Sequence, residues 1–155
     1  MRGQSDQRSR VAKKVLIVED SPESVELTVD ALCKCGINTG DIAITSDGQE
    51  GLDYIFGAGK YSGRDVKDVP ELVLLDLKLP KVSGFEILEK IRADERTRLI
   101  PVVILSVSSL REDVLRSYRS GANSFIVKPM NYEEYIKTVR IICNYWLVIN
   151  KKPQV

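Results

Sequence analysis

The chain has 155 residues, 23 Lys and Arg against 22 Asp and Glu, and no histidine. That length suits one domain, whose folding buries roughly 70% of the extended chain's surface and needs no disulfide or structural metal. The missing histidine excludes Ser-His-Asp and Cys-His catalysis, imidazole metal ligation and a phosphohistidine on this chain, leaving carboxylates, hydroxyls and lysine to carry any chemistry.

Residues 1–14 hold Arg2, Arg8, Arg10, Lys13 and Lys14 against Asp6, a charge of +4 that leaves −3 for the remainder. A polar terminus of this kind reads as a flexible basic tail over 1–13, with no nucleic-acid role assigned to it. VLIV at 15–18, LVLL at 72–75, VVIL at 102–105 and FIV at 125–127 are continuously aliphatic and read as strands buried on both faces. A weaker strand, IAIT at 42–45, makes five. The first helix has Ser21 as N-cap, Pro22 at its first position, apolar Val25, Val29 and Leu32, and Gly36 as its stop. Further helices are expected over roughly 48–56, 84–93, 109–120 and 131–148. Residues 57–70, GAGKYSGRDVKDVP, read as one long surface loop.

Strand and helix thus alternate five times. The pattern predicts a (βα)5 doubly wound five-stranded parallel sheet with helices on both faces, a three-layer sandwich over 14–148 with a short tail at 149–155. No apolar run approaches the roughly 18 residues that span a bilayer, and no signal-peptide pattern opens the chain. Three cysteines with no second Cys pair and no His fit a reducing, cytoplasmic setting without a zinc site.

Open α/β sheets bind ligands beyond the carboxyl ends of their strands. Here the first strand ends in Glu19-Asp20, the third in Asp76, the fourth in Ser106 and the fifth in Lys128. Three neighbouring carboxylates repel one another, and a hard cation with oxygen ligands relieves that; Mg2+ fits best, with Mn2+ next. A lysine and a hydroxyl suit phosphoryl oxygens, so the set as a whole points to acyl-phosphate chemistry. Each residue alone is equally explained as a cap or a solvated charge.

The motifs VLIVED at 15–20, LLDLKLP at 74–80 with Gly84, PVVILS at 101–106 and GANSFIVKP at 121–129 resemble the receiver domain of two-component response regulators. That domain has the CheY-like, flavodoxin-like fold. The resemblance implies that Asp76 is the phosphoacceptor, taking its phosphoryl group from the phosphohistidine of a partner sensor histidine kinase. It implies Mg2+ on Asp20, on Glu19 through water, on Asp76 and on the backbone carbonyl of Lys78. Lys128 would pair with the phosphoryl group, Ser106 would hydrogen-bond it, Phe125 would be the switch aromatic, and a cis peptide would precede Pro129. The chain is then a signalling module and not a metabolic enzyme, though it assists its own phosphorylation and dephosphorylation. Ser83 replaces a common acidic residue, and Phe125 lacks the hydroxyl of the commoner Tyr.

With no effector domain expected after the fifth strand, output goes through contacts with a downstream protein the sequence does not name. On the last helix Tyr132, Ile136, Val139, Cys143 and Trp146 form an apolar stripe, while Tyr135, Ile142, Tyr145, Leu147 and Val148 are a surplus that suggests a homodimer. The WLVINKKP ending and the 57–70 insertion are similar to stand-alone regulators paired with bacterial phytochromes. Two alternatives remain: a receiver-fold interaction module that is never phosphorylated, and an aspartate-nucleophile phosphohydrolase. The latter needs a second Asp two residues after the nucleophile, where this chain has Lys78.

Overall fold

A computed structural model describes residues 14–154, so the expected basic tail over 1–13 lies outside the described residues. Five strands, β1 (Val15–Val18), β2 (Ile42–Thr45), β3 (Leu72–Leu75), β4 (Val102–Ser106) and β5 (Ser124–Val127), pair in parallel in the order β2-β1-β3-β4-β5. Between and after them run α1 (Pro22–Lys34), α2 (Gly48–Phe56), α3 (Gly84–Ala93), α4 (Arg111–Arg119) and α5 (Tyr132–Cys143). The doubly wound sheet is therefore observed, with the expected element order.

The helix starts follow from local chemistry. Ser21, Asp47, Ser83 and Asn131 each accept a backbone N–H of the first turn of α1, α2, α3 and α5, satisfying donors that a helix N-terminus otherwise leaves unpaired. One apolar layer packs α1 and α5 on the sheet through Ala31, Leu32, Tyr135, Ile136, Val139 and Ile142. The opposite layer packs α2 and α3 through Leu52, Ile55, Phe85, Ile87, Leu88 and Ile91. On that side α4 lies next to α3, with the Arg116 guanidinium 4.1 Å above the Phe85 ring.

Three expectations change. FIV at 125–127 is not buried on both faces: β5 is an edge strand, so Phe125 and Ile126 are only half-buried and Val127 is exposed. On α5 the apolar face is broader than the expected stripe. Tyr135 and Ile142, assigned above to a surplus, are core residues, whereas Tyr132 is half-exposed. Beyond Cys143 the chain widens into a π-helical segment, Asn144–Ile149, closed by the Asn150 N–H on the Tyr145 carbonyl. That extra residue per turn shifts the face. Along α5 and this segment Ile141, Tyr145 and Val148 are exposed, while Trp146 and Leu147 pack inward.

The 57–70 segment is more than a polar loop. Gly57, at φ 62°, ends α2 in the left-handed conformation, and a 3-10 turn at Gly59–Tyr61 folds back on that helix. There the Tyr61 ring meets Tyr54 edge-on at 5.0 Å, and the Tyr61 hydroxyl donates to Glu50 at 2.9 Å. The Arg64 guanidinium lies 3.9 Å from the centre of the Tyr54 ring.

Candidate functional site

The chain leaves β1 to one side to form β2 and returns to the other side as β3, so the sheet order reverses between β1 and β3. Such reversals open a crevice at the strands' carboxyl ends. Val18 is in register with Leu75, which sets Glu19 and Asp20 across from Asp76 in that crevice. One carboxylate oxygen from each of the three lies within 4.8 Å of the others. Ser106 is paired in register with Val127, so Lys128 follows directly beside it.

Lys128 reaches back over the rim of the sheet. Its Nζ donates to Glu19 Oε2 at 2.7 Å and lies 3.5 Å from Asp76 Oδ2, with all three side chains about nine-tenths buried. It also meets Ser24 Oγ at 3.4 Å. Backbone donors fix the carboxylates: Leu77 N–H binds Asp76 Oδ1 at 2.7 Å, and Ser21 N–H binds Glu19 Oε1 at 3.1 Å. Asp20 stands exposed at the mouth, and Lys78 is exposed two residues after Asp76. Ser106 is fully buried; its hydroxyl accepts the Ser108 N–H at 3.3 Å and its carbonyl the Lys128 N–H at 2.7 Å. Phe125, on β5, is half-buried against the α2–α3 layer.

Burial, and then the neighbouring Asp76 charge, push the Glu19 carboxyl up to about 7, although Lys128 and the Ser21 amide pull the other way. On Lys128 burial opposes the charge, but the hydrogen bond to Glu19 and the field of Asp76 outweigh it and raise the ammonium above its usual value. Three clustered carboxylates with only oxygen donors fit a hard divalent ion, Mg2+ or Mn2+, better than any softer metal.

The β3–α3 loop that presents Asp76 is tightly specified. Gly84 N–H bonds the Leu77 carbonyl at 2.9 Å, and a Cβ at Gly84 would come within 2.3 Å of the Asp76 carbonyl oxygen. Lys81, at φ 70°, is the centre of a γ-turn closed from Val82 N–H to Pro80 C=O at 2.8 Å. Its ammonium lies 3.2 Å from Asp47 Oδ2. The peptide before Pro129 is trans, contrary to the expectation; trans is the lower-energy isomer of an X–Pro bond by about 0.5–1 kcal/mol.

Residues 15–140 match the response regulator receiver domain. The chain belongs to the response regulator receiver family. The receiver is 39% identical over 142 residues to the probable methanogenesis regulatory protein FilR2 of Methanothrix harundinacea, spanning 90% of this chain and 86% of that protein. It is 33% identical over 139 residues to response regulator Rcp1 of Synechocystis, at 90% and 92% coverage. The Mn2+-bound structure of Rcp1 superimposes with a TM-score of 0.79, at 32% identity, over 92% of this chain and 99% of that one. The phosphorylated cyanobacterial phytochrome response regulator RcpA gives a TM-score of 0.82, at 33% identity, over 93% and 100%. Among the described residues no helix is long and apolar enough to cross a membrane.

All the sequence-predicted side chains of the receiver thus gather at one end of the sheet except Phe125, which sits one layer below the rim on β5. Sequence reasoning missed Ser24 and Thr45. Thr45 takes the Glu19 N–H on its carbonyl at 3.1 Å, and its hydroxyl donates to Ile17 C=O at 3.2 Å. Neither is marked by anything but a polar residue at a strand end or in a first helical turn.

Proposed function

We propose that this receiver accepts a phosphoryl group on Asp76 from the phosphohistidine of a sensor histidine kinase and signals through protein contacts. The observation that supports it best is the Asp76 carboxylate held between Leu77 N–H and the Lys128 ammonium, inside a cluster of two further acids. Two similar structures agree with the reading: one is the Mn2+-bound form of Rcp1, and the other is phosphorylated RcpA.

Glu19, Asp20 and Asp76, with the Lys78 carbonyl, would hold Mg2+, whose charge offsets repulsion between Asp76 and the incoming phosphate. An Asp76 oxygen attacks phosphorus in line, and the bond to the donor nitrogen breaks with its electron pair on the donor. Lys128, already aimed at Asp76, neutralises charge on the equatorial oxygens. Ser106 can turn its hydroxyl from the Ser108 amide to the new phosphoryl group, and Phe125 follows into the space vacated on the β5 edge. A two-state change of the surface around β5 and α5 is the output.

The partner surface proposed for a homodimer is the exposed apolar stripe of Ile141, Tyr145 and Val148, at 70%, 47% and 72% exposure. It replaces the surplus that Tyr135 and Ile142 were thought to supply. Sedimentation of wild type and Tyr145→Asp at tens of micromolar tests it, a wild-type monomer with and without phosphorylation counting against the stripe.

Incubation with acetyl phosphate and Mg2+ tests the main reading. Wild type should gain the mass of one phosphoryl group and Asp76→Asn should not. A wild type that stays unmodified returns the chain to the class of phosphate-independent interaction modules, and steady turnover of a phosphate ester favours the hydrolase.

A further inference from the structure

Lys128 and Tyr135 are joined twice, once by seven residues of chain and once through space. Tyr135 lies in the first turns of α5 with its ring in the core, 3% exposed. Its hydroxyl is 2.8 Å from Thr28 Oγ1 on α1, and Thr28 is itself 2% exposed. The direction of that bond is fixed by the next one. The single hydroxyl proton of Thr28 goes to the Ser24 carbonyl at 2.7 Å, so Tyr135 must be the donor to Thr28. One turn earlier on α1, Ser24 Oγ accepts from Lys128 Nζ, and the Ser21 N–H holds Glu19. The path runs from Lys128 along the β5–α5 connection to Tyr135, across to Thr28, back along α1 to Ser24, and closes on Lys128.

The first turn of α1 thus touches both partners of the buried ion pair, while Tyr135 pins the following turn from the neighbouring helix. A small cavity runs beneath this circuit. Its polar lining consists of Glu19, Asp76, Thr28 and Tyr135, and apolar residues of β1, β3 and β4 close the rest. The apolar face of α1 packs on the sheet through Ala31 and Leu32, and at the end nearer the acids the Tyr135–Thr28 bond beside this cavity ties the helix to α5. A second bond between the same helices gives an internal comparison: Tyr132 OH donates to Asp30 Oδ2 at 2.9 Å, but it is exposed and joins α1 two residues farther from its first turn.

We propose that Tyr135 is a positioning residue for Asp76 chemistry: through Thr28 its hydroxyl sets the first turn of α1, and with it the placement of Lys128 and Glu19 around Asp76. The proposal rests on the reading of Asp76 as phosphoacceptor only for its kinetic consequence. The placement itself is a property of the metal-free protein.

The test compares wild type with Tyr135→Phe, Thr28→Val and Tyr132→Phe. In metal-free protein, amide NMR signals of Ser24, Glu19 and Lys128 should move in Tyr135→Phe and Thr28→Val and stay in place in Tyr132→Phe. With Mg2+ and acetyl phosphate, Tyr135→Phe should slow phosphorylation about three- to tenfold, the kinetic equivalent of one buried hydrogen bond, and Tyr132→Phe should not. The double variant Tyr135→Phe/Thr28→Val should be no slower than the worse single variant, because both remove the same link. A purely structural role would lower the denaturation midpoint of Tyr135→Phe but leave the three amide signals and the rate at wild-type values, and that result overturns the proposal. If wild type takes up no phosphoryl group while the amide signals still move, the placement stands and the Asp76 reading fails.

Discussion

Lys128 Nζ sits 2.7 Å from Glu19 Oε2 and 3.5 Å from Asp76 Oδ2, so one ammonium occupies space between two acids that a divalent ion would also share. Lysine and metal would therefore compete for Glu19, even though in the proposed function both assist a phosphoryl group on Asp76. The two roles separate in one variant. Lys128→Met should slow phosphorylation by acetyl phosphate about 10- to 100-fold, the range of a lost charge-assisted hydrogen bond. The same variant should bind Mg2+ more tightly than wild type by calorimetry, because a cation no longer repels the ion. Weaker Mg2+ binding would mean that Lys128 organises the acids more than it competes for them.

Gly84 bears on the same site from below. A methyl group there would come 2.3 Å from the Asp76 carbonyl oxygen and 2.8 Å from the Leu77 Cα, both backbone atoms that cannot turn aside. Gly84→Ala must push the β3–α3 loop outward. The expected cost is about 1–3 kcal/mol, the range for overpacking, seen as a lower urea midpoint with an unchanged slope. Phosphorylation should slow as well, since the displaced loop carries Asp76.

The aliphatic runs at 15–18 and 72–75 were legible to the residue because a parallel strand covered by helices has no polar alternation to blur it. FIV at 125–127 carried the same signal and misled, since nothing within those residues says that β5 lies at the edge of the sheet. The acids, Ser106 and Lys128 were legible because each directly follows or ends a strand. Ser24, Thr28 and Tyr135 were not. Their partners are 104 and 107 residues away, and a polar atom inside an apolar stripe carries no local mark of its bond. On α5 two apolar faces compete in the spacing, and the one carrying Tyr135, Ile136, Val139, Ile142 and Cys143 faces the sheet.

Glu50 ties the 57–70 segment to α2. Burial raises its pKa, but hydrogen bonds from Lys60, the Ser46 amide and hydroxyl, and Tyr61 outweigh it and lower the carboxyl to about 2. A folded-state value below the unfolded one of 4.5 means that the ionised form stabilises the fold. That contribution is complete above about pH 4.5 and drains away as the pH falls toward 2. Wild type should therefore exceed Glu50→Gln by about 1–2 kcal/mol at pH 6, after allowance for solvent screening. The gap should close on acidification, read from urea midpoints at successive pH values. A gap that persists undiminished at pH 2.5 would assign the effect to packing of the side chain and not to its charge.

Arg92 organises the opposite end of the sheet with no ionic partner among the described residues. Its Nε donates to Gly121 C=O at 2.8 Å, and Nη1 to Arg98 C=O at 2.8 Å and Ile100 C=O at 2.7 Å. Nη2 reaches Asn123 Oδ1 at 2.8 Å, and that oxygen also takes the Val102 N–H at 2.7 Å. One planar fork thus joins the end of α3, the entry to β4 and the entry to β5. Gly121, at φ 105°, gives the chain the turn that brings its carbonyl into reach. The three N–H donors of a lysine radiate from one nitrogen and cannot span acceptors that the guanidinium reaches from three separate nitrogens. Arg92→Lys and Arg92→Met should both lose about 2–4 kcal/mol, the cost of several acceptors left without a donor. Because Arg92 stands at the amino end of β4 and Asp76 at the carboxyl end of β3, phosphorylation at a temperature where both proteins are folded should keep its wild-type rate. Hydrogen exchange should rise first in β5, the edge strand that loses this clasp, and a rise spread evenly over the sheet would show that the clasp acts on global stability alone.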